Sequence, residues 1–374
     1  MDPTGALRTP ICDRLGIQVP IFGFSHSVEV TVAIAECGGF PVFGAARETP
    51  ERIAIDIAAI RKRLGGRPFG VDLMYPKLAG DEPSREAARA KLPAEHIAFV
   101  DHIRDKYRVP PATKPGFFSS QIRNQRFLEA QTEAVLESEV DAIATAVGLP
   151  KRVLEAAKAR GKTTFALVGA ARHAKAAREA GVDILVAQGY DAGGHTGGIG
   201  TFTLVPQIVE ASGGLPVLAA GGIGCGRQIA ASLALGAQGA WLGTAWLLTR
   251  EYGTPPVLLK KLLAAKSEDT VITRAHSGKP CRVLRSAWSD EWAAETAPKP
   301  LPMPYQHALT GDLLAAIDEH QPEPLVYEAA GQSIAWFNEL TTVRELMERL
   351  VRETHAALAQ MQAVLKFGAT QTPR

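Results

Sequence analysis

The stretch Val182–Thr203, VDILVAQGYDAGGHTGGIGTFT, limits what this chain can fold into more than any other. Ile184–Ala187 is a short apolar run with the length and composition of a fully buried strand. It breaks into Gly189–Thr201, where six of thirteen residues are glycine. Glycine lets a backbone approach a ligand closely and take positive φ. His195, directly after Gly193 and Gly194, can donate a hydrogen bond or exchange a proton near neutral pH. A strand that opens into a glycine-rich loop with one titratable side chain is how a parallel α/β protein presents an active site.

A second stretch, Leu215–Leu235, reads strand, glycine turn, helix. Gly221, Gly222 and Gly224 fall where a helix beginning near Cys225 would point its free N–H groups, an arrangement that suits a phosphate. Gln238–Gly243 is another short strand, ended by Gly243-Thr244. Two successive strand–glycine–helix units match the phosphate grip of the last two strands of a (β/α)8 barrel.

The rest of the chain keeps the same rhythm. Strands are predicted at Val19–Ser25, Phe40–Ala45, Arg67–Met74, Asp141–Val147 and Thr163–Val168, with helices between them. Thr49-Pro50 opens one helix as N-cap and first-turn proline, and Ile53, Ile57, Ile60 and Leu64 fall on one face. Strands alternating with helices imply a parallel sheet. The count reaches eight by Gly243, the number for a closed barrel, so the fold class is α/β, a (β/α)8 TIM barrel. Tyr75–Phe118 interrupts the rhythm with prolines, among them Pro83, Pro93, Pro110, Pro111 and Pro115, and two short helical patterns, near Ser84–Lys91 and Ala94–Tyr107. It reads as an elaborated loop on the face where loops carry function. A helix is expected over Gln121–Ser138, and His173 is expected as an exposed helix residue.

Three regions result: a barrel over 1–249, a smaller, mostly helical cap over 250–335 that packs over the barrel mouth, and 336–374, whose apolar helix Val343–Leu365 returns to the barrel and offers a surface for a homodimer. The tail FGATQTPR is expected to be loose.

With 46% apolar and 21% charged residues, the chain can bury a sizeable core. Its net charge of +2 argues against a nucleic-acid footprint. Cys12, Cys37, Cys225 and Cys281 are widely spaced and form no metal-ligand pattern, which implies reduced thiols in a cytoplasm and no metal. The polar N-terminus does not read as a signal peptide, and no apolar run is long enough to span a membrane.

AQGYDAGGHTG, then PVLAAGGIG, then GAWLGTAWL closely resembles the nitronate monooxygenase family, formerly called 2-nitropropane dioxygenases. The resemblance runs from about Pro20 to Arg285 and is strongest over Asp183–Thr249. It implies an FMN-dependent barrel enzyme that oxidises nitronates such as propionate 3-nitronate with oxygen, giving a carbonyl compound and nitrite. It implies His195 as the catalytic residue, and Gln188, Gly193, Gly194, Gly221, Gly222, Gly224, Gly243 and Thr244 as FMN contacts. PIFGFS places Gly23, Phe24 and Ser25 under the flavin ring, where relatives often have a methionine. FGVDLM resembles a family FGVN segment, with Asp72 in place of an asparagine that contacts the flavin. An ionised Asp72 would disfavour the reduced, anionic flavin, so Asp72 is protonated, or turned away, or tunes the flavin differently. HSGKPCRVLR, from His276 to Arg285, resembles a family segment of the form TGRPAR. Two other activities stay open: an FMN-dependent reductase similar to the enoyl-acyl carrier protein reductases, which share the GGH loop and use NAD(P)H, and, kept open by the absent methionine and Asp72, a dehydrogenase or hydroxylase acting on an acyl thioester.

Overall fold

Eight parallel strands close into a barrel in the computed structural model, which describes residues 7–370, with side chains through residue 364. They are Ile21–Ser25, Phe40–Gly44, Gly70–Met74, Ala142–Ala146, Thr163–Val168, Ile184–Gln188, Val217–Ala220 and Gly239–Leu242. Each pairs with the next in sequence, and the first closes on the eighth with Phe22 opposite Trp241. The strands are short and apolar on both faces because one face fills the barrel and the other meets helices. Inside, Phe22, Phe40 and Phe165 meet at ring-centroid distances of 5.5 to 6.2 Å, and Trp241 lies 6.4 Å from Phe22. Ile11, Cys12 and Ile17, in and just after the helix Pro10–Leu15, belong to the same cluster. The barrel interior is therefore filled with side chains at this level, and the cavity lined by the glycine-rich loops opens at the strands' C-terminal ends.

The helix Pro50–Leu64 forms as its sequence dictates. The Thr49 side chain accepts from the Arg52 N–H, and Ile53, Ile57, Ile60 and Leu64 are buried. The helix expected from Gln121 starts later, at Gln125, because the Asn124 side chain caps it by accepting from the Phe127 N–H. Residues 117–120 form a separate short helix, and Arg85–Arg89 and Ala94–Lys106 are the two helices of the long third loop. All three pack against Tyr305–His320, a helix from the other end of the chain.

After the barrel come the helices Pro256–Ala264 and Ala287–Ala293 and a hairpin, Thr270–Thr273 with Cys281–Leu284. The hairpin is completed by Gly194–His195, which pairs antiparallel with Cys281 and Arg282. A loop expected from its glycines thus holds a short strand.

The last helix, Val343–Thr370, buries Leu346, Met347 and Leu350 and packs against Gly226–Ala234 and Val28–Glu36. Gly226 is required there, since a Cβ would lie 2.2 Å from the Thr354 nitrogen. Beyond Thr354 the helix becomes exposed, as at Met361. It continues through Phe367–Thr370, so the start of the tail is helical rather than loose. The tail's last four residues, and residues 1–6 of the polar N-terminus, lie outside the described residues. No helix among the described residues is long and apolar enough to cross a membrane.

Candidate active site

The strands' C-terminal ends surround a cavity of about 680 Å³. Seven of the eight contribute a residue at or just past their last position: Ser25, Met74, Val147, Val168, Gln188, Gly221 and Gly243. This is the face on which (β/α)8 barrels carry chemistry. Val147 has φ of +63°, a left-handed backbone that a β-branched residue rarely adopts and that costs about 1–3 kcal/mol. Strain of this kind collects at functional sites.

Two glycine turns shape one wall. Gly221 has φ of +100°, and a Cβ on it would meet Thr201 Oγ1, the Ala192 nitrogen and the Gly189 oxygen at 2.9 to 3.1 Å. Thr201 Oγ1 donates to the Gly221 carbonyl at 2.9 Å, and the Thr201 N–H donates to Asp191 Oδ2 at 2.8 Å. These bonds tie the sixth and seventh strand-end loops together. Gly243 behaves differently. Its φ is −124°, and the nearest atom to an added methyl would be Phe24 Cδ1 at 3.9 Å. Here the missing side chain leaves space in the cavity, a cradle of the kind a bound group fills. Thr244 Oγ1 accepts from the Gly331 N–H at 2.8 Å.

His195 stands where the hairpin joins the cavity. Its Nε2 lies 2.7 Å from Ser277 Oγ, and Ser277 is fully buried. That hydroxyl already accepts from the Lys279 N–H at 3.3 Å, and Nε2 is the one acceptor it reaches among the described residues. Ser277 therefore donates, and the ring's own proton sits on Nδ1. Burial, reinforced by the fields of Arg123, Arg47 and Lys279, lowers the His195 pKa to about 3. The imidazole is neutral at physiological pH.

The same two causes, burial and nearby guanidinium groups, act on the other histidines around the cavity. His26, whose Nδ1 is 2.6 Å from the Gly44 carbonyl, is lowered to about 4, and His276 falls well below its usual range. Arg47, Arg123, Arg274 and Lys279 line the cavity. The acidic side chains in the lining are Asp72 and Glu328. Asp72 is buried, its Oδ2 has no partner, and burial raises its pKa well above the usual carboxyl range. Of the three possibilities for Asp72, the protonated one agrees with this environment. The cavity is thus strongly cationic, as suits an anionic ligand.

Of the residues singled out in the sequence, His195, Phe24, Ser25, Asp72 and Gln188 line the cavity, as do Gly193, Gly194, Gly221, Gly222, Gly243 and Thr244. Gly23 and Gly224 do not. A Cβ on Gly23 would point at Ile34, and one on Gly224 at Trp336. The Gly224 N–H is taken by Gln228 Oε1 at 2.8 Å, and the helix start at Gly226 donates to Glu353 Oε2 at 2.8 Å. Protein groups satisfy those donors. Gly193 also serves the chain itself, since a Cβ there would lie 2.8 Å from the Gly331 nitrogen. His173 is exposed as expected and sits at the cavity's edge. Sequence reasoning missed Arg47, Arg123, Ser277 and Glu328. Ser277 lies in the segment that resembles the family's TGRPAR, but that likeness gives the residue no role.

The nitronate monooxygenase family model matches residues 10–353. The chain belongs to the nitronate monooxygenase family. It is 38% identical to a Mycobacterium tuberculosis protein named as a monooxygenase, over 96% of this chain and 100% of the relative. It is 29% identical to a Staphylococcus haemolyticus protein named as a nitronate monooxygenase, over 93% and 97% of the two chains. Among solved structures it resembles nitroalkane oxidase from Streptomyces ansochromogenes, with TM-score 0.77, 29% identity, and 94% and 99% coverage. FabK from Thermotoga maritima is similar at TM-score 0.73 and 25% identity, with 96% and 99% coverage. The chain is a flavin-dependent oxidoreductase, and the TIM barrel expected from its strand–helix rhythm is the fold observed.

Proposed function

We propose that the chain binds FMN across its barrel mouth and oxidises alkyl nitronates, such as propionate 3-nitronate, with oxygen, giving a carbonyl compound and nitrite. The observation that carries this reading is the neutral His195, fixed by Ser277 through Nε2 and leaving Nδ1–H for a ligand in a cationic cavity. A nitronate is an anion that has already lost its α-proton, so it requires a hydrogen-bond donor at its nitro oxygens rather than a general base. Nδ1–H of His195 is that donor.

FMN, when bound, supplies the electron transfer. The backbone at Gly221–Gly222 and Gly243–Thr244 would hold its phosphate, and Gln188 and Gly193–Gly194 would contact it as well. Phe24, Ser25 and Asp72, which line the same cavity, would meet its ring, and protonated Asp72 would donate where an asparagine does in the resembling segment. The barrel region holds the cofactor, residues 250–335 cap the substrate, and the last helix braces the barrel through Leu346, Met347 and Leu350. The free cysteines accord with a cytoplasmic setting. The likeness to FabK supports a second reading, a reductase or dehydrogenase acting on an acyl thioester.

His195→Asn tests the assignment. The variant should keep its bound flavin and lose about a hundredfold or more of kcat/KM, the usual loss when a preorganised donor is removed. Unchanged turnover would take His195 out of the reaction.

A further inference from the structure

The last helix has two unlike halves. Over residues 343–354, six of twelve side chains are charged, and Val343, Met347, Leu350 and Thr354 are buried where the helix packs on Gly226–Ala234 and Val28–Glu36. Those four are spaced four, three and four residues apart, the seam of a heptad repeat. The same spacing runs on without a break through Ala357, Met361 and Val364. There the body no longer covers it, and Met361 is 44% and Val364 66% exposed. Residues 355–364, HAALAQMQAV, contain no aspartate, glutamate, lysine or arginine.

A helix that leaves its protein for solvent ordinarily gains charge as it loses cover. This one loses all of it while keeping its apolar seam. The backbone stays helical to Thr370, about 24 Å beyond Thr354. A helix of that length without packing is marginal in water, and an exposed apolar stripe marks an interaction site. The segment lies beyond the residues 10–353 that the family model matches, so family membership gives it no role. The absence of lysine and arginine from residues 355–364 argues against an anionic membrane surface as its partner. It suits a self-complementary contact. A patch that meets its own copy about a two-fold axis brings like charges together, and here there are none to repel. On the opposite side, Ala356, Ala359 and Ala363 are small, strong helix formers that need no cover.

We propose that residues 355–364 dock a second copy of this chain, extension against extension, with Ala357, Met361 and Val364 of each copy as the seam and Leu358 beside it. The unbroken four-three spacing sets the pairing: the stripe that seats the helix on its own barrel seats the next turns on the partner's helix. About four turns of paired helix bury less than the ~1,200 Å² at which stable specific interfaces begin. The dimer is therefore reversible, with a dissociation constant in the micromolar range. No residue of the extension lines the barrel-mouth cavity, so a monomer keeps the whole site. The inference is independent of the reaction the site carries out.

The test is sedimentation equilibrium of the full-length, flavin-loaded protein over about 1 to 200 μM, a range that brackets a micromolar dissociation constant. Wild type should pass from the mass of one chain to that of two. Met361→Glu sets two carboxylates against each other in the seam and should weaken the dimer about tenfold or more. Met361→Glu with Val364→Glu should leave a monomer throughout the range. Ala356→Glu puts the same charge on the opposite side and should leave the dissociation constant within about threefold of wild type. These side chains lie outside the packed body, so all three variants should keep wild-type flavin content. A wild type that stays monomeric overturns the proposal, whether or not it binds vesicles of neutral lipid. A dimer that survives the double variant overturns it too, since its interface is then elsewhere. Equal weakening by Ala356→Glu and Met361→Glu also overturns it, because added charge rather than the seam would then be responsible.

Discussion

Replacing Gly243 with alanine separates the cofactor from the protein as the reason for that glycine. The φ of −124° is open to any side chain, and the added methyl would have Phe24 Cδ1 as its nearest neighbour at 3.9 Å. The folded protein therefore has no clash to relieve. The unfolded chain loses freedom, so stability should hold or rise by about 0.4–1 kcal/mol. For a chain of this size that is at most a few degrees in Tm. If FMN lies against this backbone, the same methyl overpacks the complex by about 1–3 kcal/mol. That corresponds to roughly 5- to 150-fold weaker binding. The assay is flavin fluorescence quenching on apoprotein, beside a thermal melt of the same apoprotein. Unchanged Tm with weakened FMN is the predicted pair of results. Wild-type FMN affinity would refute the placement of the cofactor, and a large fall in apoprotein Tm would refute the claim that the space is empty of protein. Gly222 would be a poorer choice, because its φ of +70° and a Cβ 2.8 Å from Asp191 Cβ mix strain with any ligand effect.

Ser277→Ala removes the donor that fixes the His195 tautomer and should cost about 1–3 kcal/mol in kcat/KM, a loss of roughly 5- to 150-fold with flavin content unchanged; a loss under twofold would mean the tautomer is fixed otherwise. Asp72→Asn replaces a neutral acid with a neutral amide, so the flavin potential at pH 7 should move by less than ~30 mV, about 1.4 kcal/mol for a two-electron couple. A larger rise would show that Asp72 is ionised beside the ring. The His195 pKa is lowered to about 3, so its active neutral form persists as pH falls through the ordinary histidine value near 6.5. Its ring resonances should not titrate between pH 5 and 8, and kcat/KM should show no limb assignable to His195 in that range; titration near 6.5 would contradict the buried, arginine-flanked environment.

The barrel was legible because its signals are local. Short apolar runs punctuated by glycine, and the Thr49-Pro50 cap with its periodic isoleucines, report directly on strands and helices. His195 was legible because its loop is unusual. What the glycines do was less so. The same residue type opens ligand space at Gly243, admits Gly331 at Gly193, and admits the C-terminal helix at Gly226. The last two uses depend on partners more than 85 residues away, which no local pattern encodes. The Gly224 donor was misjudged for a related reason, since Gln228 takes it and the distant Glu353 takes the helix start. Arg47, Arg123 and Ser277 were missed because their significance is relational: each matters through contact with the cavity and with residues distant in the chain. The pairing of Gly194–His195 with Cys281–Arg282 likewise joins segments that nothing in either sequence calls together.

Nitronate oxidation by a bound flavin is read most directly from the visible spectrum of the purified protein, before and after anaerobic addition of propionate 3-nitronate. A yellow protein with bound FMN is expected, whose oxidised absorbance bleaches on mixing and returns with oxygen, with nitrite formed. A yellow protein that stays oxidised with the nitronate and bleaches with NAD(P)H would contradict that chemistry in favour of the acyl thioester reductase.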